Sequence, residues 1–114
     1  MVTRDFLTYL DDILGSIHKI QVYIQDMDFD QFEEDFKTID AVVRNFEIIG
    51  EASRQIPAGI KKKFPLIPWK QMSGMRDKMI HEYAGIDLET VWKTIQDDLP
   101  DLEKKLKEIR RTLK

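Results

Sequence analysis

The amino-acid sequence predicts an all-α fold, an up-down bundle of four to five helices. Apolar residues recur at intervals of three and four residues along most of the chain, as they do on one face of a buried helix. Prolines and glycines concentrate in short connectors between these stripes, and no stretch alternates in the manner of a strand. A length of 114 residues suits one domain with one core, spanning residues 1–114.

The first predicted helix has a narrow apolar stripe. Its members are Phe6, Leu10, Ile13, Ile17, Ile20 and Ile24. Their alternating intervals of four and three residues place them on a single helix face, which a bundle buries. The stretch DMDFD, residues 26–30, interrupts the stripe, and its aspartates are suited to cap the next helix.

The second predicted helix has a wider stripe and stops before Pro57. The stripe consists of Phe32, Phe36, Ile39, Val43 and Phe46, widened by Val42 and Ile49. The residue that precedes a proline is disfavoured in helical geometry, which sets the end of this helix. The following stretch PAGIKKKFPLIPW, residues 57–69, has three prolines and a glycine, and we expect a connector with one short helical turn.

Two more helices complete the predicted bundle. The third begins at Pro68 or Trp69 and ends near Ala84 and Gly85, where glycine suits a left-handed cap. The fourth is capped by Asp87 and has a stripe of Val91, Ile95, Leu99, Leu102, Leu106, Ile109 and Leu113. Pro100 lies within it and is expected to kink or break the helix near Asp98.

Composition and charge exclude several classes of protein. There is no apolar run of the about 18 residues that a transmembrane helix needs, and acids stand early in the N-terminal segment, so we expect a cytoplasmic protein without membrane association. The absence of cysteine excludes disulfides, zinc–thiolate sites and thiol catalysis. The net charge of −3 combines an acidic half, residues 1–55, with a basic half, residues 56–114. Any nucleic-acid contact would therefore use a local basic patch.

The segment MRDKMIHEY, residues 75–83, combines four chemically capable side chains: Arg76, Asp77, His81 and Tyr83. On one continuous helix, Asp77 would lie about 40° from His81 and so within reach of its imidazole. Arg76 and Tyr83 would share a face, whereas Arg76 and His81 would lie about 140° apart. No second histidine stands three or four residues from His81, which argues against a zinc site.

Two interpretations of this segment remain open at this point. In the structural one, Arg76 forms surface ion pairs, His81 lies at an interface and Tyr83 packs at the edge of the core. In the catalytic one, histidine transfers protons near neutral pH and arginine binds phosphate. Without a metal, that pair suits RNA cleavage through attack of the ribose 2′-hydroxyl. A two-fold dimer would supply two of each residue and remove the 140° difficulty.

The same segment resembles the R-x-x-x-x-H-x-Y motif of HepT-type proteins, a family of HEPN domains. The blocks RNFEIIGEA (44–52), FPLIPWKQMSGMRD (64–77) and HEYAGIDLETVW (81–92) also resemble that family, in the same order. The similarity covers roughly residues 5–112. Asp77 departs from the pattern, since many members have asparagine there.

The resemblance implies an α-helical homodimer, the toxin of a toxin–antitoxin pair. It implies a metal-independent endoribonuclease that needs no cofactor, with Arg76 and His81 as catalytic residues. The four-residue spacing to His81 separately predicts a supporting role for Asp77, whose carboxylate would orient the imidazole. The implied partners are RNA and an MntA-like nucleotidyltransferase antitoxin. In the family this antitoxin transfers AMP from ATP to the motif tyrosine, here Tyr83, and so neutralises the toxin.

Two rival functions stay open. The chain is alternatively a catalytically inactive HEPN module that binds a nucleotide or docks a nucleotidyltransferase, which Asp77 and the acidic first half would favour. The other rival is a helical dimerisation domain without chemistry.

Overall fold

The protein is a helical bundle built on three long helical segments. The computed structural model describes residues 2–81 and 85–113, with the side chains of residues 2–5 and 81 left aside. Two of the long segments are α1 (Val2–Tyr23) and α3 (Phe36–Gln55). The third comprises α7 (Leu88–Lys93), a π-helical turn (Thr94–Asp98) and α8 (Leu99–Leu113). The all-α prediction is confirmed.

Shorter elements connect these segments. They are α2 (Phe29–Glu34), α4 (Ala58–Lys63), α5 (Trp69–Ser73), α6 (Met75–Met79), β1 (Ile80–His81) and β2 (Gly85–Ile86). The connector prediction is confirmed, because its one short helix is α4. The Trp69 indole closes the connector by donating to the Phe64 carbonyl oxygen at 3.0 Å, and the ring is buried.

Helix α1 packs along α3 and α8, and its apolar stripe forms the centre of the core. The five stripe residues from Phe6 to Ile20 are at most 1% exposed, as their spacing predicts. Ile24 lies just beyond the end of α1 and is only partly buried. Burial of this stripe against two long helices supplies the main apolar contact of the bundle.

The predicted second helix is in fact two helices. Asp28 caps α2 with a capping box, as expected for the DMDFD stretch. Asp35 then leaves helical geometry, with φ of −102° and ψ of 86°, and its carboxylate accepts the Thr38 N–H that begins α3. Phe36 becomes the first residue of α3 and is 78% exposed, so its assignment to the core was wrong. A local cap therefore overrides the apolar periodicity.

The predicted third helix is also divided, and it ends earlier than expected. Gly74 separates α5 from α6, and Ile80 is already extended, with φ of −113° and ψ of 118°. Strands β1 and β2 are antiparallel, with Ile80 opposite Ile86 and His81 opposite Gly85. The prediction of a helix reaching Ala84 and Gly85 was wrong, and two short strands form where the sequence has no alternating pattern; Ala84 itself lies outside the described residues.

Three backbone features explain this early end. The Asp87 N–H donates to the Met79 carbonyl oxygen at 2.7 Å, which ties the end of α6 to the start of α7. Gly85 has a φ of +82°, a conformation that glycine adopts without the steric cost of a side chain. The β-branched Ile80 suits the extended backbone between them. Pairing between nearby residues therefore competes successfully with helix propagation.

The C-terminal segment follows the prediction, except at Pro100. Asp87 caps α7 by accepting the Thr90 N–H at 3.1 Å, as expected. The irregularity lies at Thr94–Asp98, close to the predicted kink, but the chain stays helical there. The Leu99 N–H donates to the Thr94 carbonyl oxygen, the five-residue interval of a π-turn. This wider turn accommodates the proline, which has no N–H to donate.

Candidate active site

Helix α6 is a one-turn platform that presents charged side chains. Met75 and Met79 are 7% and 1% exposed and anchor its inner face in the core. Arg76, Asp77 and Lys78 lie between them in the sequence and are exposed. The helical turn therefore separates two apolar anchors from three charged groups, although it is only five residues long.

The position of α6 depends on a close approach of α5 to α3. Gly50 of α3 is buried, and a Cβ atom there would lie 3.3 Å from the Ser73 carbonyl oxygen at the end of α5. The Arg54 guanidinium donates to that same oxygen at 2.7 Å. Because glycine has no side chain, the two backbones meet at this point and α6 begins beside α3.

Arg76 forms an ion pair with Glu47 across the interface between α6 and α3. Its Nε donates to Glu47 Oε2 at 2.8 Å, the distance of a charge-assisted hydrogen bond. The Arg76 side chain is 49% exposed and that of Glu47 is 30% exposed. The nearest Asp77 oxygen is 3.9 Å from Arg76 Nη1, too far for a hydrogen bond. One nitrogen of the guanidinium is thus held firmly while the group stays open to solvent.

A second arginine extends this charged surface along α3. Arg44 Nη1 lies 4.0 Å from Glu47 Oε1 and 3.7 Å from Glu51 Oε1. These separations exceed hydrogen-bond lengths, and the Arg44 side chain is 64% exposed, so both contacts are weak. The surface formed by Arg44, Glu47, Glu51, Arg76 and Asp77 is called the arginine cluster below. It contains two cations and three carboxylates.

The structure changes the geometry expected for His81. Asp77 lies in α6 and His81 in β1, so the four-residue helical spacing that was to join them does not exist. The angles of 40° and 140° derived for one continuous helix are therefore wrong for this chain. The backbone of His81 pairs with Gly85, and Tyr83 lies outside the described residues. The catalytic roles of Arg76 and His81, the supporting role of Asp77 and the modification of Tyr83 stay predictions.

Lys78 belongs to a different surface from Arg76. It lines a cavity of about 420 Å³ between the α5–α6 segment and the C-terminal helices. Asp97, Asp98 and Asp101 border the same cavity, whereas Arg76 faces Glu47 of α3. The two cations of α6 therefore point apart, and Lys78 offers a matched reference for tests of Arg76.

Glu47 is the residue that sequence reasoning missed. It lies within the block RNFEIIGEA, but its position on the polar side of an amphipathic helix resembles that of any exposed acid. Only the packing of α5 and α6 against α3 brings it to Arg76, 29 residues away. No pattern within one helix encodes this contact.

Comparison with known proteins assigns the family. The family model described as Ribonuclease HepT-like matches residues 13–109. This chain belongs to the HepT-like ribonuclease family. The predicted family is thereby confirmed, and so is the prediction of a ribonuclease at the level of the family.

Individual relatives support the same family assignment. The chain is 44% identical over 108 residues to "Probable ribonuclease HepT" of Thermococcus cleftensis, covering 95% of this chain and 98% of that protein. Two further relatives have names that propose an RNase, and each is 41% identical. The alignment with the Methanocaldococcus jannaschii protein covers 99% of this chain and 97% of that protein. The alignment with the Caldanaerobacter subterraneus protein covers 89% of this chain and 90% of that protein. No solved structure matches significantly.

One structural finding bears on membrane association. Among residues 2–81 and 85–113, no helix is both long and apolar enough to cross a bilayer.

Proposed function

We propose that this HepT-like chain is an endoribonuclease toxin that cleaves RNA without a metal ion. Arg76 binds the scissile phosphate and His81 transfers a proton, in a composite cleft of a cytoplasmic homodimer. One observation carries the proposal: the motif arginine of this ribonuclease family is half exposed, and among the described residues it is hydrogen-bonded through Nε, to Glu47. Its two terminal nitrogens remain the donors for a phosphate.

The proposed reaction uses the nucleophile that RNA itself supplies. The ribose 2′-oxygen bonds to the adjacent phosphorus while the bond from phosphorus to the 5′-oxygen breaks. The 2′-hydroxyl proton passes to a base and the leaving 5′-oxygen receives a proton from an acid, which leaves a cyclic phosphate and a 5′-hydroxyl. Histidine can serve in either role near neutral pH, and a dimer supplies two copies of His81. Arg76 offsets the negative charge that develops on the phosphate oxygens.

The proposed regulation acts at the same cleft. An MntA-like nucleotidyltransferase antitoxin transfers AMP from ATP to the Tyr83 hydroxyl and releases pyrophosphate. The added phosphate places negative charge near the site that must accept RNA, and the nucleotide occupies space there. Asp77 is exposed beside Arg76, and it supports the site as a polar group of α6.

The test is cleavage of a single-stranded RNA by the purified full chain with EDTA present. The wild type should cleave RNA but not the matching DNA, because only RNA has the 2′-hydroxyl. Arg76→Ala should lower kcat/KM by about 100-fold or more through loss of phosphate stabilisation. His81→Ala should lower it by about 100-fold to 10,000-fold through loss of proton transfer.

Matched variants control for charge and folding. Lys78→Ala removes the other exposed cation flanking Asp77 in α6, and His18→Ala removes the second histidine of the chain, on α1. Both should retain wild-type cleavage. Co-expression with the antitoxin should abolish cleavage and add AMP-sized steps to the intact mass, whereas Tyr83→Phe should stay active and unmodified. Cleavage that persists in both Arg76→Ala and His81→Ala would show that the assignment is wrong.

A second function has one observation in its favour. The three carboxylates of the arginine cluster outnumber its two cations, which disfavours attraction of a polyanion. We therefore keep the alternative of a catalytically inactive HEPN module that docks a nucleotidyltransferase or binds a nucleotide. In that case the wild type binds its partner but leaves RNA intact in the same assay.

A further inference from the structure

Glu47 lies outside the R-x-x-x-x-H-x-Y motif, yet it contacts the motif arginine. Its carboxylate is the hydrogen-bonding partner of Arg76 in the structure, and it comes from a different helix. We propose that Glu47 is a positioning residue for the ribonuclease reaction, which turns the Arg76 guanidinium so that its two terminal nitrogens face the phosphate. This inference rests on the proposed function and deepens it.

The geometry of the guanidinium leads to this orientation. Arginine can bind a phosphate bidentately through either of two edges, Nε with one terminal nitrogen or the two terminal nitrogens together. The Nε edge of Arg76 is occupied by Glu47 Oε2 at 2.8 Å. The remaining edge consists of Nη1 and Nη2, and the closest carboxylate oxygen of Asp77 stays 3.9 Å from Nη1. Phosphate binding is therefore expected end-on.

The surroundings of Glu47 support a fixed orientation. Its side chain is 30% exposed, less than any other side chain of the arginine cluster. It extends from α3, a helix of 20 residues packed along α1, whereas Arg76 lies on a helix of five residues. A long and well-packed helix holds a side chain more rigidly than one turn can. Glu47 therefore transmits the rigidity of α3 to the arginine.

Because Glu47 is negatively charged, its removal should affect RNA binding and the chemical step differently if it positions Arg76. A carboxylate beside a phosphate site repels RNA, so its removal should favour binding. The loss of orientation should nevertheless slow the chemical step, because a misplacement of about 1 Å can cost about 100-fold in rate. Tighter binding lowers KM and the loss of orientation lowers kcat, so the two effects oppose each other only in kcat/KM. Damage to the fold would not produce this combination.

The experiment compares Glu47→Ala and Glu47→Gln with the wild type in the RNA cleavage assay. For Glu47→Ala we expect kcat to fall about 10-fold to 100-fold, with KM unchanged or lower. Glu47→Gln should lie between this variant and the wild type, because its amide oxygen still accepts from Nε. An unchanged or increased kcat would overturn the inference, and so would a rise in KM without a fall in kcat.

The chain provides a closely matched control. Arg110 Nε donates to Asp11 Oδ1, also at 2.8 Å, in an ion pair between α8 and α1. Asp11→Ala removes the carboxylate acceptor of an arginine Nε, as Glu47→Ala does, at a site outside the arginine cluster. We expect it to leave kcat and KM unchanged. A fall in kcat equal to that of Glu47→Ala would mean that loss of such a pair acts through the fold.

A second measurement separates this inference from the proposed function. The Arg76 Nε–H resonance in a ¹⁵N NMR spectrum is identified by its absence from Arg76→Lys. Its proton should exchange with water faster in Glu47→Ala than in the wild type, and equal exchange rates would show that the pair does not form in solution. If the wild type cleaves no RNA, the proposed function fails and its positioning residue fails with it. If the wild type cleaves RNA and Glu47→Ala is equally active, only the positioning inference fails.

Discussion

At the scale of single residues, aspartates set three helix boundaries of this bundle. Asp28, Asp35 and Asp87 each accept a backbone N–H from the first turn of the helix that follows. Asp35 has the further effect of separating α2 from α3. The Thr38 N–H, and then the Thr38 hydroxyl, donate to its carboxylate and lower the pKa of Asp35 from the ordinary value of 3.8. The charged form is thus favoured in the folded protein.

The lowered pKa predicts how this cap depends on pH. Because the folded-state pKa lies below the unfolded-state pKa, the cap stabilises fully above 3.8 and loses its effect as the pH falls through the folded-state pKa. Asp35→Ala should therefore lower the melting temperature at neutral pH and lower it less in strong acid. Thermal unfolding followed by circular dichroism at both pH values measures this difference.

The matched variant for this prediction is Asp40→Ala, which removes an exposed acid from the same helix. It should change the melting temperature little at either pH. An Asp35→Ala effect of equal size at neutral and acid pH would contradict the assignment of the cap to the charged carboxylate.

At the scale of elements, the approach of α5 to α3 determines where the candidate site is built. Gly50 makes that approach possible, since a Cβ there would meet backbone oxygens at 3.3 and 3.5 Å. Gly15 lies in the interior of α1, and a Cβ there would meet nothing within 4 Å. Both glycines lie inside long helices, where alanine is intrinsically favoured by about 1 kcal/mol. Substitution of each glycine by alanine therefore distinguishes the effect of helix propensity, present at both positions, from the effect of packing, present only at Gly50.

The two alanine substitutions should have different effects on stability. Gly15→Ala should raise the free energy of unfolding by about 0.5–1 kcal/mol, because it gains propensity without a clash. Gly50→Ala should gain less or lose stability, because the added methyl group presses on the Ser73 carbonyl. Chemical denaturation of both variants measures the difference. An equal gain in both would show that α5 moves aside without cost.

At the scale of the whole molecule, one apolar core joins the long helices and determines which aromatic residues matter. Phe46 of α3 is fully buried, while Phe36 at the start of the same helix is 78% exposed. Both belong to the stripe that periodicity predicts. Exposure to solvent, rather than membership of the stripe, decides how much each contributes to stability.

Alanine substitutions at Phe46 and Phe36 should differ widely in their effect on the free energy of unfolding. Phe46→Ala should lower the free energy of unfolding by about 3–5 kcal/mol, since it removes a buried ring and leaves a cavity. Phe36→Ala should change it by less than about 0.5 kcal/mol, as expected for an exposed position. Urea denaturation of both variants decides the matter. Comparable losses would show that Phe36 is buried in solution, for example against a second copy of the chain.

The sequence by itself determined the features that depend on local pattern and chemistry. The stripe from Phe6 to Ile20, the end of α3 before Pro57 and the cap at Asp87 all follow from spacing, proline geometry and side-chain hydrogen bonding. The family was also evident from the blocks around the motif, and it is confirmed. Apart from the family, these properties involve residues that neighbour each other within one or two helical turns.

Tertiary structure decided the features that depend on contacts between distant residues. Two departures from the predicted helices arise instead from nearby residues: β1 pairs with β2 and ends α6 at Met79, and the Asp35 cap leaves Phe36 exposed at the start of α3. The Arg76–Glu47 ion pair joins residues 29 positions apart and exists only because α5 meets α3 at Gly50. Periodicity reports which face of a helix is apolar, but it does not say which polar groups meet when two helices pack. That is why the motif arginine was visible in the sequence and its partner was not.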